Sequence, residues 1–410
     1  MRKIEIYIHI PFCVRKCLYC DFLSFPSGEK ERERYLDALL WEIETQAPKY
    51  RDYEADSVFI GGGTPTVLTG EQLGRIMRGI KAGFAFGKNP EITVEANPGT
   101  VDRGKLEESL KAGINRISIG AQSLNDRELE LLGRVHLSED FFRAYRLARK
   151  AGFQNINVDM MAALPGQKLE GYLDGLKRVT DLEPEHISAY SLIVEEGTPF
   201  YERYGREGKR EKGTEELPGI LPGILPGILP SEEEERLMYE RTGELLAAQG
   251  YGRYEISNYA RPGYECRHNI GYWKRHDYVG FGLGAASMVE NVRWKNCTDM
   301  ERYLHCMEAR KGQREGTSEA DAAEGIQEER IFLSVKEQME EYMFLGLRLT
   351  EGVGKEAFYK TFGRKIEDVY GDVIRRLQGQ GLLENGKQVR LTPYGRDVSN
   401  YVMAEFLIGI

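Results

Sequence analysis

The first half of the chain alternates short apolar segments with longer amphipathic ones. The amphipathic segments have the 3.6-residue periodicity of helices that bury one face, at Glu31–Gln46, Glu71–Lys81, Asp102–Ala112, Glu139–Ala151 and Leu169–Asp181. The apolar segments are nearly continuous, which is typical of parallel strands covered by helices, at Ile4–Ile10, Ser57–Gly61, Glu91–Ala96, Arg116–Ala121, Asn155–Met161 and His186–Ile193. Six consecutive units, where a closed barrel has eight, predict an α/β fold with a partial (β/α)6 barrel.

The second half departs from this alternation. Residues 1–230 are assigned to the barrel and end in a Leu-Pro-Gly-Ile repeat at 217–230, whose regular prolines exclude a helix or a central strand. We interpret the repeat as a loop, and a hydrophobic loop that docks a partner is the alternative. A helix at Glu232–Gln249 and an aromatic-rich segment predict a barrel-completing region at 231–311. The polar residues that follow, 312–330, are predicted to be a linker.

Residues 331–410 have the pattern of a small separate domain. Helical periodicity is present at Glu337–Leu349 and Ile366–Gln378, followed by a hairpin-like Leu382–Leu391 and a helix that begins at Tyr394. Helices followed by a short hairpin predict a mostly helical, winged-helix-like C-terminal domain.

Charge and cysteine usage restrict the partners and the compartment. The formal net charge of -9 argues against binding to nucleic acid through phosphate neutralisation. No apolar run reaches the roughly 18 to 20 residues that cross a bilayer, and the N-terminus enters a strand pattern directly instead of a signal peptide. Six cysteines, three of them in one short segment, do not resemble a disulfide framework. We therefore expect a cytoplasmic protein without a transmembrane segment.

The clustered cysteines follow the first predicted strand. Cys13, Cys17 and Cys20 form a C-x3-C-x2-C pattern at the end of the strand where a β/α barrel places its chemistry. A closed zinc site normally takes four ligands, and three unrelated thiols are a further alternative. A [4Fe–4S] cluster held by three thiolates would leave one iron open to a small molecule. We favour this cluster.

The cysteine pattern, together with Gly61 to Pro65 (G-G-G-T-P) after the second strand, resembles the radical S-adenosylmethionine (SAM) superfamily. The segments Y-I-H-I-P-F-C, V-E-A-N-P-G-T, R-I-S-I-G-A-Q-S and H-I-S-A-Y-S-L-I-V-E-E-G-T-P-F resemble the group that holds the oxygen-independent coproporphyrinogen III oxidase (HemN) and the haem chaperones (HemW). In this superfamily the open iron chelates the amino and carboxylate groups of SAM. One departure is Ala163, which stands where the group commonly has a glycine.

The resemblance implies contacts with the cluster or with SAM for residues near the C-terminal ends of the predicted strands: Tyr7, Gly62, Gly63, Thr64, Glu95, Gln122, Arg134, Asp159 and Ile193. Taken without it, Glu95 or Asp159 could cap a helix or a turn. Arg134 could be a solvated cation at a helix end, and Gln122 could satisfy a buried backbone group. His9, inside the first strand, is expected to pack or to hydrogen-bond locally.

Three features favour the haem-chaperone branch over the oxidase branch. Phe22 stands where the oxidase has a further cysteine, and the first strand begins near residue 4, where the oxidase has a longer N-terminal arm. His268 to Trp273 (H-N-I-G-Y-W) matches the chaperone signature. Because imidazole is a common axial ligand of haem iron, His268 is the expected haem ligand and Cys266 the alternative. Without the resemblance, a packed aromatic turn whose histidine only forms hydrogen bonds is the simpler interpretation.

These features together imply a radical-SAM-type haem chaperone that binds a [4Fe–4S] cluster, SAM and haem. Its partners would be a haem-acceptor protein, such as a respiratory enzyme, and an electron donor such as flavodoxin or ferredoxin. The resemblance is compatible with SAM cleavage. The first alternative is coproporphyrinogen III oxidase, which converts two propionates to vinyl groups in porphyrin biosynthesis. A radical SAM enzyme for another large substrate is the second.

Overall fold

The computed structural model describes residues 1–205, 227–311 and 325–407. Most of the predicted Leu-Pro-Gly-Ile loop and most of the predicted linker therefore lie outside the described residues.

Parallel strands form the centre of a sheet that has twelve strands within the described residues. The first six lie side by side in chain order: β1 (Arg2–Ile10), β2 (Tyr53–Gly62), β3 (Ala85–Ala96), β4 (Arg116–Gln122), β5 (Ile156–Ala162) and β6 (His186–Ser191). Every neighbouring pair among them is parallel. All six predicted strands are present.

Helices connect these strands, and most of them begin and end where the local sequence signals it. The helices of this half are α1 (Glu29–Gln46), α2 (Gly70–Gly83), α3 (Arg103–Ala112), α4 (Asp126–Leu131), α5 (Ser138–Ala151), α6 (Leu169–Thr180), α7 (Pro199–Tyr204) and α8 (Glu232–Ala248). Thr69 and Gln72 form a capping box at the start of α2, and Asp102 caps α3. Gly113 ends α3 in a left-handed conformation. The short helices α4 and α7 have too few turns to show a periodicity in the sequence.

The two faces of the barrel strands differ in polarity. In β1, Ile4, Ile6, Ile8 and Ile10 are fully buried in the main hydrophobic core. The alternate positions of the same strand carry polar side chains: Glu5, Tyr7 and His9. Because side chains alternate along a strand, the apolar set packs under the helices and the polar set faces the inside of the barrel. The interior of the barrel is therefore able to hold polar ligands.

The aromatic-rich segment adds strands at both edges of this sheet. β7 (Gly252–Arg253) and β8 (Asn258–Ala260) extend it beyond β6, and β9 (Tyr278–Phe281) pairs in parallel with β1. Three antiparallel strands follow β9: β10 (Ala286–Val289), β11 (Val292–Asn296) and β12 (Gln327–Phe332). The helices of this region are α9 (Arg267–Trp273) and α10 (Met300–Lys311). Because β12 begins at Gln327 and pairs with β11, the last residues of the predicted linker (312–330) form part of a strand.

The C-terminal residues form their own hydrophobic cluster. The helices are α11 (Val335–Gly346), α12 (Lys355–Phe362), α13 (Ile366–Gly379), α14 (Pro393–Asp397) and α15 (Ser399–Ala404), beside a sheet of β13 (Val353–Gly354), β14 (Leu383–Asn385) and β15 (Gln388–Leu391). Met343, Phe358, Tyr370 and Phe406 are buried among them. The predicted α/β class, with a partial barrel and a mostly helical C-terminal part, is confirmed. No helix of the described residues is long and apolar enough to span a membrane.

Candidate cofactor-binding site

A cavity of about 570 Å³ opens at the C-terminal ends of the barrel strands, within the size range of small-molecule sites. Eleven of the thirteen residues predicted for the site line it: Cys13, Cys17, Cys20, Gly62, Gly63, Thr64, Glu95, Gln122, Arg134, Asp159 and Ile193. Residues from all six parallel strands, or from the loops after them, therefore meet in one place. Tyr7 and His268, the other two, are not among its lining residues.

The three clustered cysteines lie on one loop, which we call the cysteine loop (residues 13–24). A short pair of strands, Phe12–Cys13 and Phe25–Pro26, closes the loop at its base. Leu18 N donates to Leu132 O at 3.0 Å, which fixes the middle of the loop against the end of α4. All three thiols are free of disulfides, and backbone contacts outside the loop hold their position.

Two donors from other elements approach the cysteine sulfurs. The Thr64 Oγ1 atom lies 3.5 Å from Cys13 Sγ, and Arg134 Nη1 lies 3.6 Å from Cys17 Sγ. A hydroxyl and a guanidinium at these distances can donate hydrogen bonds to sulfur. No three Cys, His, Asp or Glu side chains within the described ranges converge closely enough to hold one metal ion. A [4Fe–4S] cluster places its thiolates on separate irons, so its ligands need not converge on one point.

The glycine run after β2 is required by close packing. Gly62 has φ +111°, and a Cβ atom there would lie 2.6 Å from the ring of His9. A Cβ atom on Gly63 would lie 2.6 Å from the carbonyl oxygen of Phe12. The backbone of the run also bonds to β1 and to the residue just before the cysteine loop, because Gly63 N donates to Ile10 O and Thr64 N to Phe12 O, at 2.8 and 2.7 Å. Only glycine lets the run lie against both segments.

Two half-buried carboxylates line the cavity. Glu95 Oε2 accepts from Gly62 N at 3.0 Å, and Asp159 accepts from Ser118 Oγ at 3.2 Å and from Asn157 Nδ2 at 2.7 Å. Burial, with the nearby Asp159 carboxylate, raises the pKa of Glu95 to about 8. Burial also raises the pKa of Asp159. A cationic ligand in the cavity would reverse these shifts.

Gln122 and Arg134 belong to the same wall as Asp159. Gln122 ends β4 at φ +64°, and its Oε1 accepts from Tyr190 Oη at 2.9 Å. Arg134 Nη2 donates to Gly120 O at 2.7 Å, so its guanidinium is directed into the cavity and not into solvent. Ile193, after β6, is exposed at the mouth.

Tyr7 and His9 connect the first strand to the cysteine loop. Tyr7 Oη lies 3.0 Å from His9 Nδ1, and His9 Nε2 lies 2.9 Å from Leu23 O. His9 thus makes the local hydrogen bonds that the sequence predicts. The ring of Tyr7 also stacks on that of Phe59, which lines the cavity. The ring of Phe59 therefore lies between Tyr7 and the cavity.

His268 lies near the start of α9 and is 1% exposed. Its Nδ1 atom lies 2.7 Å from Ser57 Oγ, and its Nε2 atom lies 3.0 Å from Tyr272 Oη. Burial lowers the pKa of His268 to about 3, so the ring is neutral and both of its nitrogens are engaged. These are the hydrogen bonds of the packed aromatic turn that was the simpler interpretation of the sequence, and haem ligation by His268 stays a prediction. Cys266 is also buried, 3.4 Å from Glu91 Oε1.

The other end of α9 contacts the C-terminal helices. The guanidinium carbon of Arg348 lies 4.3 Å from the ring centroid of Trp273. Arg275, just after α9, forms a buried ion pair with Glu341 at 3.0 Å. The predicted haem signature therefore joins the barrel to the C-terminal cluster.

Several lining residues were not predicted: Tyr19, Phe59, Arg116, Asn157, Asn258 and Asn269. Arg116, Ser118, Gly120 and Gln122 recur at every second position of β4, and this period of two was the signal that could have identified Arg116. Asn269 carried no such signal, because α9 approaches the cavity from a distant part of the chain.

Comparison with known proteins agrees with this architecture. Residues 7–179 match the radical SAM superfamily, and residues 333–398 match the HemN C-terminal domain. The chain is similar to the haem chaperone HemW of Bacillus subtilis, with 36% identity over 98% of each chain. It is also similar to HemW of Lactococcus lactis, with 35% identity over 98% of this chain and 97% of the relative. The solved structure of coproporphyrinogen III oxidase (HemN) from Escherichia coli has a TM-score of 0.80, with 23% identity over 99% of this chain and 90% of that one, and shares the fold.

Proposed function

Because the chain belongs to the haem chaperone HemW family and carries a radical SAM region, we propose that it binds haem and transfers it to an acceptor protein. The observation that carries this proposal is the likeness to HemW over nearly the full length of both chains, together with the convergence of the predicted cofactor residues on one cavity.

Cys13, Cys17 and Cys20 would hold a [4Fe–4S] cluster at the mouth of this cavity. The proposal is supported by their free thiols, by the donors Thr64 and Arg134 near two of the sulfurs, and by the packing that fixes the cysteine loop. Such a cluster supplies one-electron chemistry at an iron with an open coordination position. Free thiols of this kind persist in a reducing compartment, so we place the protein in the cytoplasm.

SAM would bind next to the cluster, along the glycine run and the two half-buried carboxylates. SAM carries a positive sulfonium and an amino group, and Glu95 and Asp159 present acceptors to positive charge in the cavity. Gln122 and Arg134 would position the remainder of the molecule. A low-potential donor such as flavodoxin or ferredoxin would reduce the cluster.

Haem ligation by His268 would require the buried imidazole to become accessible to the iron. The ligating nitrogen would have to lose its partner, which is Ser57 for Nδ1 and Tyr272 for Nε2. The variant Tyr272→Phe removes the partner of Nε2 and keeps the ring, so it should maintain or raise haem affinity. His268→Ala should abolish the shift of the Soret band, whereas His305→Ala, an exposed histidine of α10, should not.

A paired anaerobic assay tests the function as a whole. Protein with a reconstituted cluster is titrated with haem, and a second sample is incubated with coproporphyrinogen III, SAM and a reductant. We expect saturable haem binding, transfer of that haem to an apo-cytochrome, and no protoporphyrinogen. Formation of protoporphyrinogen, or the absence of haem binding, would contradict the proposal.

A further inference from the structure

The lining of the cavity includes residues that come earlier in the strands than the proposed cofactor contacts. Arg116 is the first residue of β4 and Gln122 the last. At 3.3 Å per residue their Cα atoms lie at most about 20 Å apart, and both residues line the cavity. We call the part of the cavity around Arg116 the lower chamber, and its walls are Arg116, Ser118, Asn157, Ser188, Asn258 and Asn269.

Arg116 is a buried charge with few partners. It is 2% exposed, and the one hydrogen bond of its guanidinium to the described part of the chain joins Nη1 to Thr93 Oγ1 at 3.5 Å. Its Nε atom is buried without a partner there. A guanidinium has five N–H donors, and a buried charge without an ion-pair partner costs several kcal/mol. The side chain therefore has donors left for a ligand.

The acidic groups nearest to Arg116 are committed elsewhere. Glu91 accepts from the backbone N–H groups of Arg267 and His268, each at 3.2 Å. Asp159 accepts from Ser118 and Asn157. These two carboxylates act on Arg116 only through their field, without a hydrogen bond to it.

An unpartnered acceptor complements these donors in the lower chamber. Asn258 Oδ1 is buried without a partner among the described residues, while the same amide side chain is hydrogen-bonded to Glu255. A ligand that satisfies the lower chamber must present an acceptor to Arg116 and a donor to Asn258.

We propose that the lower chamber binds a small carboxylate with a hydroxyl or amino group on the carbon next to the carboxyl. A guanidinium binds a carboxylate through two parallel hydrogen bonds, and the adjacent hydroxyl or amino group donates to Asn258. This ligand would be distinct from SAM, whose own amino and carboxylate groups would be taken by the open iron. The two sites would adjoin, because Ser118 and Asn157 of the lower chamber donate to Asp159 of the proposed SAM site. Since Asn269 belongs to α9, the ligand contacts the helix that carries His268.

Binding of defined probes to the full chain tests the site. L-Lactate, glycine and acetate are titrated into the reconstituted protein by calorimetry, with and without SAM. We expect lactate and glycine to bind at least tenfold more tightly than acetate, with SAM present or absent. Arg116→Gln should weaken the binding of lactate and of glycine at least tenfold, and Arg116→Lys should recover part of that affinity. Arg127→Gln, an exposed arginine of α4, serves as the matched control and should have no effect.

Thermal stability separates a ligand site from a structural role. Because the fields of Glu91 and Asp159 offset the desolvation of this guanidinium, Arg116→Met should change the melting temperature of the protein without probe only slightly. A large fall in melting temperature would show that Arg116 is structural and would overturn the site. Equal binding of the probes to wild type and Arg116→Gln, or displacement of the probes by SAM, would overturn it as well. None of these outcomes depends on haem.

Discussion

The imidazole of His268 stacks on the ring of Phe59, with 5.2 Å between the ring centroids and 26° between the ring planes. Phe59 also lines the cavity, so a single ring separates the signature histidine from the proposed SAM site. Phe59 thus connects the cavity wall to α9, which contacts the C-terminal helices through Trp273.

Removing the His268 ring should destabilise the fold. His268→Ala leaves the hydroxyls of Ser57 and Tyr272 without their partner and opens a gap beside Phe59. At about 1–3 kcal/mol for each unsatisfied buried group, we expect the free energy of unfolding in urea to fall by about 2–4 kcal/mol. His305→Ala should change it by less than about 0.5 kcal/mol. Equal stability of the two variants would show that His268 is not held as described.

A side chain at Gly62 should displace the cysteine loop. Gly62→Ala places a Cβ atom against His9 at φ +111°, and His9 is bonded to Leu23 of that loop. We expect iron and sulfide retained after anaerobic reconstitution to fall at least severalfold. Gly171→Ala lies in α6 with nothing within 4 Å and should retain wild-type iron and gain up to about 1 kcal/mol of stability. Full iron retention in Gly62→Ala would contradict the packing argument.

Binding of SAM should depend on pH through Glu95. With a pKa of about 8, Glu95 is protonated at pH 6 and must release a proton to accept positive charge. Affinity should therefore rise about tenfold per pH unit up to about pH 8 and then level off. Glu95→Gln should bind weakly with little pH dependence, as measured by equilibrium dialysis. A wild-type affinity that falls between pH 6 and 8 would argue against this role.

The same ionisation affects stability without SAM. The folded-state pKa of Glu95 is raised above its ordinary value of 4.5. Protonated Glu95 therefore stabilises the folded state fully below pH 4.5. This stabilisation is lost as the pH rises through about 8. Glu95→Gln should therefore be more stable than the wild type above pH 8, and the difference should vanish near pH 4.5. Thermal melting across this range measures it.

Replacement of Ala163 by glycine should stabilise the protein. It has φ +59°, a left-handed conformation that costs a residue with a Cβ atom about 1–2 kcal/mol. Ala163→Gly should stabilise the protein by about 1 kcal/mol, because this strain exceeds the added flexibility of glycine in the unfolded chain. Ala357→Gly, at an exposed position of α12, should instead destabilise it by up to about 1 kcal/mol. Destabilisation by Ala163→Gly would show that the backbone is not strained there.

The joint between α9 and the C-terminal helices should depend on Glu341. Glu341 accepts from Arg275 and pairs with Arg293 at 2.8 Å. Since Glu341→Gln leaves Arg275 charged in a buried place, we expect a loss of about 3–5 kcal/mol. Glu356→Gln breaks an exposed pair with Lys360 and should cost under about 1 kcal/mol. Denaturation in urea compares the two.

The sequence predicted most of the elements that position the site. All six barrel strands and five of their helices could be located because periodicity is a local property of the chain. The sequence also placed the cysteines after β1 and the glycine run after β2, because each follows a predicted strand directly along the chain. The strands of residues 252–296 were not located, because strands of two to five residues contain too little pattern.

The sequence by itself determined the alternation of strands and helices, the cysteine spacing and the side chains that follow each strand. The tertiary structure alone decided that His268 is enclosed by Ser57, Phe59 and Tyr272, and that Arg116 and Asn269 share one cavity with the cysteine loop. The physical reason is that periodicity depends on neighbours along the chain, whereas burial and hydrogen bonding depend on segments such as Ser57 and His268, which are 211 residues apart.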